Sequence, residues 1–161
     1  MIKYLVMDVD GTLTDGNIYM GANGEIMKAF NIKDGYGIHD ILIPNNIKPI
    51  IITGRNSSIV INRAKELGIE EIHQNCSDKL LKLSEIVDDL SAVAYIGDDL
   101  NDMCCVTAIK QAGGFVGCPA DAVKEIKNIS DFVSSFNGGN GAVREFIEWI
   151  IVNNQHLNLS L

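Results

Sequence analysis

The chain is 161 residues long, 47% hydrophobic and 21% charged, with a formal net charge of −8 and an isoelectric point near 4.7. That balance fits one domain, 1–161, with a buried core. It excludes a basic nucleic-acid surface, and no apolar run approaches the roughly 20 residues of a membrane span. Cys76, Cys104, Cys105 and Cys118 form no C-x-x-C pair and read as small buried hydrophobes in a reducing compartment. His39, His73 and His156 lack metal-ligand spacing. The first residues lack the pattern of a secretory signal, so a cytoplasmic protein is expected.

In chain order, YLVM (4–7) reads as the first strand and runs straight into Asp8 and Asp10. GNIYMGANGEIMKAFN (16–31) carries an Asn23-Gly24 turn between two strand-like arms, a β-hairpin signal. PIIIT (49–53) is an unbroken β-branched strand, followed by a helix over 57–68 with Ser57 or Ser58 as cap and Gly68 as stop. EIHQ (71–74) is a weak third strand. The helix over 77–90 takes Ser77 as cap and lines Leu80, Leu83, Ile86, Val87 and Leu90 along one face. AVAYIG (92–97), GFVG (114–117) and DFVSS (131–135) are further strands. AVREFIEWIIV (142–152) is a last helix, and the polar tail 153–161 is either disordered or docked on a partner. Continuous apolar strands alternating with helices predict a doubly wound α/β fold with a parallel sheet and the hairpin projecting after strand one.

In such sheets, sites form at the carboxyl ends of the strands. There the sequence places Asp8 and Asp10; Thr53, Gly54 and Arg55; and Gly97, Asp98 and Asp99, with Asp102 one helical turn on. Lys79 lies in the first turn of the helix after Ser77. Carboxylates converging without histidine or thiolate predict a hard cation, most simply Mg2+, which offsets their repulsion. Thr53, Lys79 and backbone N–H groups after Asp8 suit phosphate oxygens. Asp99 and Asp102 also read as solvated acids at a helix N-terminus.

DVDGT, TGR (53–55), Lys79 and GDDLND (97–102) match, in order, the four motifs of the haloacid dehalogenase-like phosphatases, and the resemblance covers essentially the whole chain. It implies Asp8 as nucleophile and Asp10 as general acid, then base. It implies Mg2+ held by the Asp8 carboxylate, the Asp10 backbone carbonyl and Asp98, with Asp99 or Asp102 in support, and phosphate held by Thr53, Gly54 and Lys79. The intervals 15–52 and 56–78 hold no cap domain. A small capless chain with FNIKDGYGI (30–38) and GGNGAVREFIE (138–148) resembles the 3-deoxy-D-manno-octulosonate 8-phosphate (KDO-8-phosphate) phosphatases and relatives acting on nine-carbon keto-sugar phosphates.

That resemblance implies a small-molecule sugar-acid phosphate as substrate. Arg55 is suited to grip its carboxylate, and arginine rather than glutamate there favours the eight-carbon acid. Arg63 and Asp34 are further substrate-binding candidates. It also implies a homotetramer, assembled through hairpin residues such as Ile18, Met20, Ile26 and Met27. NGGNGA (137–142) reads either as a hinge carrying the C-terminal segment over a site or as a simple loop. A phospho-receiver module fits the motif order poorly, because its phosphorylated aspartate comes from a later strand. A non-catalytic assembly domain is disfavoured, because no motif residue is missing.

Overall fold

The computed structural model describes residues 1–159, with side chains through Asn154. Six parallel strands form one sheet in the order β5-β4-β1-β6-β7-β8: β1 (Tyr4–Met7), β4 (Lys48–Ile52), β5 (Glu71–His73), β6 (Val93–Ile96), β7 (Phe115–Cys118) and β8 (Phe132–Val133). The chain leaves β1 for β4, runs outward to β5, then returns to β6 on the other side of β1. This reversal of direction sits at β1, where a crevice opens beyond the strand ends. Met7 is level with Ile51 and Ile96, so Asp8, Thr53 and Asp98 leave the sheet along one edge.

Successive β1 side chains point to opposite faces. Leu5 and Met7 pack with Ile38, Leu42, Val60, Val143 and Phe146, from the helical segment Gly37–Leu42 that continues α1 (Ile32–Tyr36), from α2 (Ser58–Glu66) and from α6 (Ala142–Leu159). Val6 faces Leu83, Val106, Ile109 and Ile126, from α3 (Lys79–Ile86), α4 (Met103–Ala112) and α5 (Lys124–Ile129). Both faces are covered, which is why the strands read as unbroken apolar runs.

Several local expectations shift. The hairpin strands β2 (Tyr19–Gly21) and β3 (Gly24–Met27) pair Gly21 with Gly24, so the loop is Ala22–Asn23 rather than Asn23–Gly24. An Asn-Gly hairpin turn needs positive φ at both residues, and here the positive φ of +114° falls on Gly24 alone. Asp78, not Ser77, caps α3 by accepting from Leu81 N–H at 2.9 Å. That helix ends at Ile86, with Val87 already extended.

The segment over 137–142 is not free to swing. Gly139 N–H donates to the Thr12 carbonyl at 3.0 Å, and a Cβ on Gly138 would lie 1.8 Å from the Gly11 carbonyl oxygen. The tail from Asn153 continues α6. Asn154 exchanges hydrogen bonds with the Ile2 backbone at 2.8 and 3.0 Å, so it docks on its own chain. The remainder of the tail side chains, His156 included, lie outside the described residues.

Candidate active site

Beyond β1 the backbone coils tightly. The N–H groups of Thr12, Leu13 and Thr14 all point to the Val9 carbonyl, at 3.2, 2.9 and 3.0 Å. Gly11 sits at φ +88°, and a Cβ there would lie 2.2 Å from Asp98 Oδ2. Glycine therefore supplies both the turn and the space for Asp98 to approach. Thr12 Oγ1 donates to Asp98 Oδ1 at 3.2 Å, fixing that carboxylate over the strand ends.

Beneath this loop lies a buried ionic cluster. Lys79 Nζ donates to Asp8 Oδ1 at 2.8 Å and to Asp102 Oδ1 at 2.7 Å. Asp102 Oδ1 also accepts from the Tyr95 hydroxyl at 2.7 Å. Its Oδ2 accepts from the N–H groups of Asp98 and Asp99 at 3.0 and 3.3 Å. Asp102 is therefore neither a solvated helix acid nor a free ligand; it organises the turn that presents Asp98. Asp99 caps that turn, accepting from Leu100 N–H at 2.7 Å.

Three carboxylates cluster here and one ammonium pairs with two of them, so the charge does not balance. Burial first, then the Asp102 charge, push the Asp8 carboxyl up to about 6 despite Lys79. Burial, then Asp8 and Asp102, push Asp98 up to about 8. Burial pulls the Lys79 ammonium down, but Asp8 and Asp102 together hold it above its usual range.

An open cleft of about 260 Å³ lies above, lined by Asp8, Asp10, Ile18, Thr53, Gly54, Arg55, Asp98, Asp99 and Asn101. The sequence-derived set thus converges, with Lys79 on its floor. The hairpin closes one side: Lys28 Nζ pairs with the Asp10 carboxylate, and Glu25 meets Arg55 Nη2 at 3.3 Å and the Ser57 hydroxyl at 2.6 Å. Ser57 therefore starts α2 without a side-chain cap. Lys28, Glu25 and Tyr95 are functional neighbours that the motifs do not reveal. Tyr95 alone left a signal, because a hydroxyl inside an all-apolar buried strand requires a partner.

Two expected substrate residues lie elsewhere. Asp34 is buried, and its carboxylate accepts from the N–H groups of Gly141 and Arg144 at 3.2 and 2.8 Å, at the start of α6. With its oxygens so engaged it is a helix cap rather than a contact for sugar hydroxyls. Arg63 pairs with Glu66 at 2.8 Å and lies 5.9 Å from the Phe30 ring centre. It lines a separate cleft with Ile32, Gly35, Tyr36 and His39.

No protein-family model matches the chain. A 3-deoxy-D-manno-octulosonate 8-phosphate phosphatase from Salmonella typhi is 42% identical over 155 residues, 94% of this chain and 80% of that protein. The chain belongs to this family of phosphatases. A Moraxella catarrhalis family member, solved in complex with magnesium ion, phosphate ion and a KDO molecule, is 41% identical. It matches with a TM-score of 0.87 over 99% of this chain and 92% of its own. The cobalt-bound form from Haemophilus influenzae is 36% identical, with a TM-score of 0.83 over 93% and 87% of the two chains.

The phosphatase's acids fit a divalent cation. Oxygens of Asp8, Asp98 and Asp102 lie within 4.8 Å of one another, and both Asp102 oxygens already accept protein donors. Asp8, which shares the Lys79 ammonium with Asp102, and Asp98, which has only the Thr12 hydroxyl as a side-chain donor, are the side chains that would hold Mg2+. The linkage has a definite sign. Between their ordinary value of 3.8 and their raised values of about 6 and about 8, the native state retains protons that the unfolded chain has released. Stability of the metal-free protein therefore falls as pH rises through that window. Mg2+ requires the ionised acids, so its stabilising increment grows over the same range. Melting curves with EDTA and with Mg2+ across this window check this; a metal-free Tm that rises with pH contradicts it.

Proposed function

We propose that the chain is a Mg2+-dependent phosphatase of KDO-8-phosphate, a single domain over 1–161 with the hairpin 16–31 beside its open site. The observation that carries this reading is the convergence of Asp8, Asp98 and Lys79 at one cleft, in a family whose members bear that name. Asp8 attacks the phosphorus; the bond to the sugar oxygen breaks, and the Asp10 carboxyl gives that oxygen its proton. A water then attacks the aspartyl-phosphate, Asp10 takes the water's proton, and the Asp8–phosphorus bond breaks to release phosphate. Bound Mg2+ supplies charge neutralisation on the phosphoryl oxygens. Thr53, Gly54 and Lys79 bind those oxygens; two carboxylates already engage the Lys79 ammonium, leaving its third proton for one of them.

Arg55 reads the substrate carboxylate. Its bond to Glu25 is long, at 3.3 Å, and the side chain is 43% exposed, so a bidentate carboxylate displaces Glu25 readily. The test is a phosphate-release screen over KDO-8-phosphate, the nine-carbon ulosonate 9-phosphates and hexose phosphates. KDO-8-phosphate should give the highest kcat/KM, and preference for a nine-carbon acid would overturn the substrate assignment. Arg55→Ala should raise KM for the keto-acid about tenfold, the low end for a charge-assisted bond because the site is partly exposed. KM for an aryl phosphate should stay unchanged; equal losses on both would assign Arg55 to the phosphate.

The hairpin supports an assembly. Ile18, Met20, Ile26 and Met27 are exposed on a two-stranded ribbon, which alone is marginal in water. A homotetramer would bury them, and a monomer by light scattering would exclude it. A cytoplasmic location agrees with four free cysteines; among the described residues no helix is long and apolar enough to cross a membrane. Recovery outside the cytoplasmic fraction would overturn that location.

A further inference from the structure

Lys28 is the first residue beyond β3. Its neighbours Ile26 and Met27 are exposed, yet its own side chain is only 2% exposed. Strand alternation would place it on the exposed face of Ile26, but it lies beyond the end of β3 and turns inward, where its ammonium pairs with the carboxylate of Asp10. The same ammonium lies 2.9 Å from Glu25 Oε1. Glu25 in turn accepts from the Ser57 hydroxyl at 2.6 Å with its other oxygen. Ser57 stands at the head of α2, so Glu25 anchors the hairpin to the loop after β4. Among the described residues, Lys28 is the one side chain that bonds the Asp10 carboxylate.

A buried ammonium is costly unless paired, and this one is paired twice. Glu25 sets where the ammonium sits, and the ammonium sets where the Asp10 carboxylate points. Asp10 itself lies on the loop beyond β1, before Gly11, and a carboxylate rotor on a loop is poorly oriented without such a partner.

We propose that Lys28 is a positioning residue for the acid–base step. Resting on the phosphatase reading above, this makes the hairpin, and not the sheet alone, responsible for aiming the Asp10 carboxyl at the leaving oxygen. Lys28 transfers no proton. Asp10 gives one to the sugar oxygen as the phosphorus–oxygen bond breaks, and later takes one from water. An alkyl leaving group needs that proton, whereas p-nitrophenolate leaves without it. Loss of Lys28 therefore discriminates between leaving groups, which a general loosening of the site does not.

The experiment compares single-turnover release of the alcohol from KDO-8-phosphate with the burst of p-nitrophenolate from p-nitrophenyl phosphate, both with Mg2+. Lys28→Met keeps the apolar stem and removes the charge. Release of the sugar should slow by about ten- to a hundredfold, part of the factor general acid catalysis supplies. The p-nitrophenolate burst should stay within about threefold of the wild type, since Asp8 is untouched. Lys28→Arg should recover part of the ratio. Should Lys28→Met fail to fold, the ratio is read on Glu25→Gln, which keeps the ammonium and weakens its anchor. Equal losses on the two substrates, or no loss on the sugar phosphate, would overturn the proposal. A wild-type enzyme silent on KDO-8-phosphate would instead overturn the substrate reading. The same ratio is then taken with whichever alkyl phosphate the wild type hydrolyses.

Discussion

Asp8→Asn reduces phosphate release by at least about a thousandfold while the protein stays folded, because the change removes the nucleophile and keeps the side chain's shape. The stability of the variant carries a second, opposite signal. Burial and the Asp102 charge raise the Asp8 carboxyl to about 6, so at neutral pH its ionisation costs the metal-free native state free energy. An amide carries no such cost. The variant loses one acceptor of a charge-assisted bond, but Lys79 keeps Asp102 at 2.7 Å. Metal-free Asp8→Asn should therefore melt at or above the wild-type temperature near pH 8, and gain less from added Mg2+. The measurements are phosphate release by protein purified from a host without competing phosphatases, and melting curves with EDTA. Substantial turnover would refute the covalent scheme, and a much lower metal-free Tm would show that Asp8 is structural.

The site was readable to the extent that its residues sit at strand ends. Apolar runs locate β1, β4 and β6, and the first one or two residues after each run are placed at the sheet edge by the fold alone; Asp8, Thr53 and Asp98 follow. What the sequence hid are contacts between segments distant along the chain. Asp34 looked like a polar residue near the site, but the groups that engage it, Gly141 N–H and Arg144 N–H, come more than a hundred residues later. Ser57 looked like a cap because serine before a helix usually is; Glu25, from the hairpin, takes its hydroxyl instead. Lys28 gave no signal, since a lysine on a hairpin arm is ordinarily solvated, and only the fold turns it towards Asp10. The start of the tail differs for a related reason. Its polar composition leaves it either disordered or docked on a partner, but Asn154 supplies the one donor and one acceptor that the Ile2 backbone of its own chain requires.

Asp102→Ala should unfold the metal-free protein far more easily than any other single change in the cluster. Asp102 is fully buried and accepts from the Lys79 ammonium, the Tyr95 hydroxyl and the backbone N–H groups of Asp98 and Asp99. Its removal has one favourable consequence: the Asp102 charge contributes to raising both Asp8 and Asp98, so each ionises more easily without it. Against this stand a half-paired buried ammonium and three donors left without acceptors. Breaking a buried ion pair by deleting one partner costs about 3–5 kcal/mol, which outweighs the relief. For a domain of this size that lowers Tm by roughly 6–20 °C. Asp102→Asn keeps an oxygen for the two backbone donors but turns an NH2 towards Lys79, and should cost about 1–3 kcal/mol. The pH dependence separates the two effects. With Asp102 gone, the raised pKa values of Asp8 and Asp98 move back towards 3.8, so metal-free stability should fall less steeply with rising pH than in the wild type. Denaturant unfolding with EDTA at several pH values measures both; an alanine variant within about 1 kcal/mol of wild type, with an unchanged slope, would mean that Asp102 does not hold the cluster together.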